Sequence, residues 1–256
     1  AQATALNAAQ VSEYKTSGHT VLASALSASQ IDTLRTRAER IADGTVPFPA
    51  TLVEFEPGGR GERHIDSVRK INRPAAHDTV FAAHARHPVI LNAVRALIGP
   101  DIKLFDDQLF VKPPGGMEKT IHQDSAYFTI EPMAMVTAWL ALDDVTLDNG
   151  CLTVLPGSHR HGVIPHSERW MVGDREDMKI PDSITKGHAI KSVVMNAGDC
   201  SFHHSLVMHG SGPNRTRTRR RAIAVHYMSA RSRWTGSPAE KPEFELLCGR
   251  DYQGCV

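Results

Sequence analysis

The order of apolar and polar residues changes character near residue 100. Before it, apolar positions recur at helical spacing. Residues 7–14 read as a short amphipathic helix and 18–23 as a brief strand. Ser27 or Ser29 caps a second helix, whose Ile31, Leu34, Ala38 and Ile41 fall on one face. A polar stretch containing glycine and proline runs on to about Arg73. Pro88–Ile98 reads as a third helix, stopped by Gly99-Pro100.

Beyond residue 100, short apolar runs alternate with turn residues. The runs are 102–111, 120–124, 135–142, 151–155, 190–194, 199–202 and 222–227. Lys112-Pro-Pro-Gly-Gly, Leu147-Asp-Asn-Gly, Pro156-Gly-Ser and Asn196-Ala-Gly-Asp punctuate them. Many short strands with regular turns predict a mainly β fold, a jelly roll braced by N-terminal helices on one face. Residues 1–256 read as one domain: a largely helical front over 1–100, a jelly-roll core over 101–230 and a tail over 231–256. The segment 167–186 is polar and shows no clear period. A loop of that length reads as an insertion over the barrel mouth, a candidate lid.

Composition narrows the classes without choosing among them. A length of 256 residues, 41% hydrophobic and 22% charged, suits an ordered domain. A net charge of +1 provides no field to draw in nucleic acid or an anionic membrane. No apolar run reaches the roughly 18 residues that span a bilayer. The first ten residues do not read as a secretion signal. The four cysteines are scattered, with no C-x-x-C pair, and read as reduced thiols in a cytoplasmic compartment.

The candidate chemistry centres on Thr120-Ile-His122-Gln-Asp124. In a strand, His122 and Asp124 share a face. A second histidine would complete a 2-His-1-carboxylate set, which leaves open positions and suits iron(II). His203, His204 and His209 are the candidates. His209 stands out because Gly-Ser-Gly-Pro-Asn and an arginine-rich strand follow it. H-x-D alone is a weak signal in a chain with 14 histidines; the distal histidine and the basic strand strengthen it. His203 and His204 read as supporting or packed residues, and His159 and His161 as turn and surface residues. The run 215–221 (RTRTRRR) leads into an apolar strand, so alternation sends at least one arginine inward, suited to a bidentate grip on a carboxylate.

These motifs, in order from about residue 100 to 228, resemble the phytanoyl-CoA dioxygenase family of iron(II)/2-oxoglutarate oxygenases. The matching residues are Lys112-Pro-Pro-Gly, His122-Gln-Asp124, Ala138-Trp139-Leu-Ala-Leu, Asn149-Gly150 through Pro156-Gly157-Ser158-His159, Gly198-Asp199, and His204 through His209-Gly-Ser211-Gly-Pro-Asn214. The resemblance implies a double-stranded β-helix (cupin-like) core, with His122, Asp124 and His209 as the iron ligands and catalytic centre. It implies Arg220, eleven residues past the distal histidine, as the 2-oxoglutarate anchor. Ser211, Trp139, Gln108 and Lys70 are the further co-substrate contacts it suggests.

Halogenating relatives replace the carboxylate ligand with a small residue. Asp124 therefore implies a hydroxylase, or another C–H oxidation, using Fe(II), 2-oxoglutarate and O2. The family's substrates include acyl-CoA thioesters, amino acids, organophosphonates and natural-product intermediates, and Tyr127 and Phe128 are candidate mouth residues. A non-catalytic cupin-like metal/2-oxoglutarate-binding protein is the alternative from another class. A zinc hydrolase lacks an obvious general base, and a nucleic-acid binder would rest on 215–221 alone.

Overall fold

The second and third predicted helices bury the face their sequence marks, whereas the first buries only Tyr14. The computed structural model describes residues 5–56, 63–172 and 175–256. Helix α1 (Ala8–Ser17) starts at a capping box of Asn7 and Gln10. Strand β1 (His19–Leu22) follows, then α2 (Ala28–Ala42), where Ser27, not Ser29, is the cap and Gln30 completes the box. Ile31, Leu34, Ala38 and Ile41 are all buried.

The stretch read as irregular up to Arg73 holds two strands, β2 (Val53–Phe55) and β3 (Val68–Asn72). Two short helices follow, α3 (Pro74–His77) and α4 (Thr79–Ala85), then α5 (Pro88–Ile98). Asp78 starts α4 by accepting from the Val80 and Phe81 N–H groups.

The remaining strands are β4 (Ile102–Lys112), β5 (Lys119–His122), β6 (Ile130–Glu131), β7 (Met135–Ala141), β8 (Leu152–Val154), β9 (Glu168–Val172), β10 (Arg175–Lys179), β11 (Lys191–Val193), β12 (Cys200–His204), β13 (His209–Ser211), β14 (Arg220–Ser229), β15 (Arg233–Trp234) and β16 (Leu246–Cys248). One antiparallel sheet has the order β1-β12-β7-β14-β4-β3-β2, with β16 also on β4; a second has the order β11-β8-β13-β5. Together they form the jelly roll, and the front of the chain contributes β1, β2 and β3 to its larger sheet.

The central strands β7 and β14 of the larger sheet are buried on both faces, and parity divides their work. Val136, Ala138 and Leu140 of β7, and Ile223, Val225 and Tyr227 of β14, pack in the cluster shared with the helices. The alternate residues Trp139, Ala141, Ala222 and Ala224 pack with Leu152, Val154 and Val193 of the smaller sheet. Burying each large aliphatic side chain contributes roughly 1.5–3 kcal/mol. The Tyr227 hydroxyl donates to the Ala85 carbonyl at 2.9 Å and ties β14 to α4.

Asp107 lies on β4, is 3% exposed and accepts from the Ala75 N–H at 2.8 Å. Burial pushes its pKa from 3.8 up to about 7; the Ala75 bond opposes this and Asp106 adds to it. The folded state therefore binds more protons than the unfolded chain between these values. The contribution is present at low pH and lost as pH rises to about 7. We expect Asp107→Asn to remove a loss of order a few kcal/mol between pH 5 and 8, measured by urea unfolding at both. An unchanged difference between the two pH values would sink this assignment.

The segment 167–186 is a β9–β10 hairpin followed by the short helix α6 (Asp182–Thr185), and not a structureless loop; residues 173–174 lie outside the described residues. Ile180 N–H donates to Ile121 O and fixes the hairpin's end to β5.

Candidate metal centre

β5 and β13 lie side by side, with His122 directly opposite His209. β5 ends at His122, and Asp124 opens a 3₁₀ turn over Asp124–Tyr127. Strand parity is thus not what aims Asp124; the turn brings its carboxylate back. Asp124 Oδ1 stands 3.6 Å from His122 Nε2 and 3.5 Å from His209 Nε2. One donor atom from each residue falls within 4.8 Å of the others, and all three residues are buried.

The rings are held so that both Nε2 atoms face inward. His122 Nδ1–H donates to Thr120 O at 2.8 Å and His209 Nδ1–H to Val207 O at 3.1 Å. Each bond fixes the tautomer that leaves a lone pair on Nε2, as a metal ligand requires. Burial, then His209, lowers the His122 pKa to about 4, so the ring is neutral at pH 7. Burial alone would raise the Asp124 pKa. His209, His122 and His203 outweigh it and hold the carboxylate well below its usual range.

Asp124 Oδ2 is occupied from behind. Thr137 Oγ1–H donates to it at 2.8 Å, and His203 Nε2 stands 3.3 Å away. Thr137 spends its one proton there, so His226 Nδ1, 2.8 Å from Thr137 Oγ1, must be the donor of that bond. The carboxylate is oriented with Oδ1 toward the two imidazoles. Outer partners of this kind are typically worth 10–100-fold in metal affinity. Thr137→Val should therefore weaken iron(II) binding by roughly that factor with the fold intact, as read by anaerobic titration; unchanged affinity would discount the relay.

His204, by contrast, points away from this face, its ring 6.1 Å from that of Tyr14. His159 and His161 belong to a 3₁₀ turn over Ser158–His161. Gln123, fully buried, donates to Gly162 O and Leu206 O and accepts from Ile164 N–H. Gln123, between His122 and Asp124, is thus a staple for the surrounding loops.

The three adjacent arginines separate cleanly. Arg219 pairs with Asp66, and Arg221 with Asp143 and Glu39. Arg220 turns inward, 3% exposed, its guanidinium carbon 5.1 Å from the Trp139 ring centroid. Its Nη2 donates to Gly150 O at 2.9 Å, and its Nε has no hydrogen-bond partner among the described residues. Burial lowers its pKa to about 10, so it remains a cation. A buried guanidinium without a carboxylate is costly unless a ligand completes it. Gly150 is needed here: its φ is +80°, and a Cβ would run into the Gly212 carbonyl.

One cavity of about 570 Å³ joins these groups. His122, Asp124, His209, Trp139, Ser211 and Arg220 all line it. Gln108 and Lys70 line it as well; Lys70 Nζ is 3.3 Å from Glu54 Oε1. Phe128 lines it, whereas the Tyr127 side chain lies outside the described ones. From the hairpin, Glu176 and Asp177 reach its rim, and Asp177 pairs with Lys119.

Sequence reasoning did not single out Lys112, whose Nζ donates to Ser211 Oγ at 2.8 Å and to Gly212 O. It also passed over Thr137 and His226. Their one signal was parity, since β7 and β14 place them on the same face as Trp139 and Arg220.

Comparison with known proteins adds an independent line. A family model described as phytanoyl-CoA dioxygenase matches residues 14–222. Peroxisomal phytanoyl-CoA dioxygenase of Homo sapiens is 31% identical over 232 residues, covering 85% of this chain and 67% of that protein. A probable alpha-ketoglutarate-dependent hypophosphite dioxygenase of Stutzerimonas stutzeri is 25% identical over 228 residues, covering 87% and 79%. Among solved structures, the apo non-heme monooxygenase ThoJ superposes with a TM-score of 0.75 at 25% identity, over 96% of this chain and 86% of that one. EctD from S. alaskensis, with 2-oxoglutarate and 5-hydroxyectoine, gives 0.74 at 23% identity, over 98% and 86%, a likeness of fold.

Proposed function

The chain belongs to the phytanoyl-CoA dioxygenase family and is an iron(II)- and 2-oxoglutarate-dependent dioxygenase, and we propose that His122, Asp124 and His209 hold its iron while Arg220 anchors the co-substrate. The observation that carries the assignment is the buried Arg220 guanidinium, its Nε unpartnered, in the same cavity as the triad. A dicarboxylate that chelates at the triad with one end would satisfy that cation with the other.

The donor set fits the metal. Two imidazole nitrogens and one carboxylate oxygen on one side leave the other side open, the arrangement that suits non-haem iron(II). Iron(II) and 2-oxoglutarate together supply the activation of O2 and the oxidation of a C–H bond, with succinate and CO2 as co-products. The chain's own residues prepare the site. His122 and His209 present lone pairs through fixed tautomers, and Thr137 and His203 aim the Asp124 carboxylate. Trp139 shields the Arg220 cation from water, and the Ser211 hydroxyl, accepting from Lys112, can turn its own proton toward a carboxylate. We place Gln108 and Lys70 further along the same wall. The presence of Asp124 supports a hydroxylase over a halogenase.

A small-molecule substrate is supported by the named relatives, a phytanoyl-CoA dioxygenase and a probable hypophosphite dioxygenase. Within the run 215–221, Arg219 and Arg221 are held in ion pairs and Arg220 is buried, which supports reading it as a strand entry. Among the described residues no helix is long and apolar enough to cross a membrane. Four free cysteines support a reducing, cytoplasmic compartment.

The test is spectroscopic. Adding iron(II) and 2-oxoglutarate to the apo-protein without oxygen should give a metal-to-ligand charge-transfer band, and admitting oxygen should then yield succinate. Absence of the band would overturn the reading.

A further inference from the structure

The cavity has two ends, and the strand register separates them. On β4 and β14, Lys112 lies opposite Arg220 at one end and Asp106 opposite His226 at the other. From 112 to 106 is six residues, about 20 Å at ~3.3 Å each. The triad touches the second end, through Thr137 and its bond to His226. A co-substrate stretched from Arg220 to the triad therefore leaves Asp106 and His226 to the substrate.

A bulge shapes that second end. His226 faces Asp106, but Tyr227 faces Leu104, so Phe105 is an extra residue in β4. Bulges re-aim side chains beside active sites. Here both Phe105 and Asp106 face the cavity. The Phe105 ring lies 4.4 Å from Phe128, and Phe128 lies 5.4 Å edge-on to His226. Behind Phe105, Phe244 from the C-terminal stretch stacks at 5.4 Å with planes 19° apart, which fixes the wall.

Asp106 supplies the acceptor here. His226 donates its Nδ1 proton to Thr137 and presents its ring to the cavity. Asp106 has weak partners, Arg73 Nε at 4.0 Å and Gln108 Nε2 at 3.5 Å. Around the mouth, Arg69 and Lys70 share Glu54, and Lys119 pairs with Asp177. The Asp106 carboxylate and two aromatic walls attract a cationic N–H donor, and Asp106 repels an anion.

We propose that the substrate carries a protonated nitrogen, an ammonium or amidinium, seated on Asp106 against Phe105 and Phe128. The proposal rests on the iron and 2-oxoglutarate reading of the cavity, which decides which end the substrate occupies.

Three probes sharing a six-carbon chain separate the charge from the chain: hexylammonium, hexan-1-ol and hexanoate. Each is titrated calorimetrically, without oxygen, into the protein loaded with iron(II) and 2-oxoglutarate. Hexylammonium should bind at least tenfold more tightly than either of the others. Asp106→Asn should bring the three within threefold of one another, and Asp106→Glu should retain the order. The selectivity of the unaltered protein needs no variant, so a variant that fails to fold does not rescue the idea. Equal binding, undetectable binding of hexylammonium, or a preference for hexanoate overturns it; the last would assign the mouth to carboxylate or phosphate substrates. The charge-transfer band in the same samples reports on the parent reading. Band present with the wrong preference sinks this inference alone; band absent sinks both.

Discussion

Asp124→Ala is expected to abolish succinate formation, by roughly 10³-fold or more, while the protein remains folded. An outer partner is worth 10–100-fold in metal affinity, and Asp124 is the one carboxylate in the cluster, so its loss should exceed that range. Its Oδ1 lies within 3.6 Å of both imidazole Nε2 atoms. Removing it also strands Thr137 Oγ1 and His203 Nε2, at a cost of about 1–3 kcal/mol per unpaired group. Relief from burying a carboxylate offsets part of that, so the far-UV circular dichroism should be unchanged. His122→Ala should match it in activity. A colorimetric iron assay on protein loaded anaerobically separates lost metal from lost turnover. Full iron content with more than a tenth of normal succinate would remove Asp124 from the ligand set.

The second large effect has two signs. Arg220→Met should raise the stability of the apo-protein and destroy its response to 2-oxoglutarate. The guanidinium is buried with one donor unpaired among the described residues, and replacing a buried charge by an apolar side chain of similar length is often neutral or stabilising. In the presence of ligand the balance reverses. A charge-assisted pair lost from a buried site costs about 2–5 kcal/mol, so the Michaelis constant for 2-oxoglutarate should rise roughly 30-fold or more. At a concentration 100 times its dissociation constant, 2-oxoglutarate should stabilise the unaltered protein by about 2.7 kcal/mol and the variant by almost nothing. Thermal unfolding with and without 2-oxoglutarate reads both signs. An unchanged Michaelis constant would mean that another cation, Lys112 foremost, holds the co-substrate.

Several elements were legible because burial leaves a pattern. α2 shows its stripe because one face is buried and the other is wet. β7 and β14 read as apolar runs because both faces are covered, but for the same reason the runs did not say which face holds Thr137, His226 or Arg220. That needed the register, in which Arg220 lies opposite Lys112. The β9–β10 hairpin was illegible because Glu168, Arg169, Met171 and Glu176 are exposed, so no alternation is imposed on them. β2 and β3 were missed in a polar stretch, where only Val68 and Ile71 of the two strands are fully buried. Asp124 was placed with its correct neighbours for an incomplete reason. Its strand ends two residues early, and a turn supplies the aim that parity was expected to give. The last strand, β16, joins β4 through backbone bonds, and its side chains carry no periodic mark of it.

The extra residue in β4 has a consequence for how such a protein diversifies. On its Lys112 side, β4 keeps regular pairing with β14 through Gln108 and Phe110; the irregularity falls between His226 and Tyr227. Losing one residue at Phe105 would restore the ladder and exchange the side chains that line this end of the cavity, while the Lys112 half of the strand stayed in step. A single-residue deletion there would therefore rebuild one end of the cavity in one step, whereas a point change alters one side chain at a time.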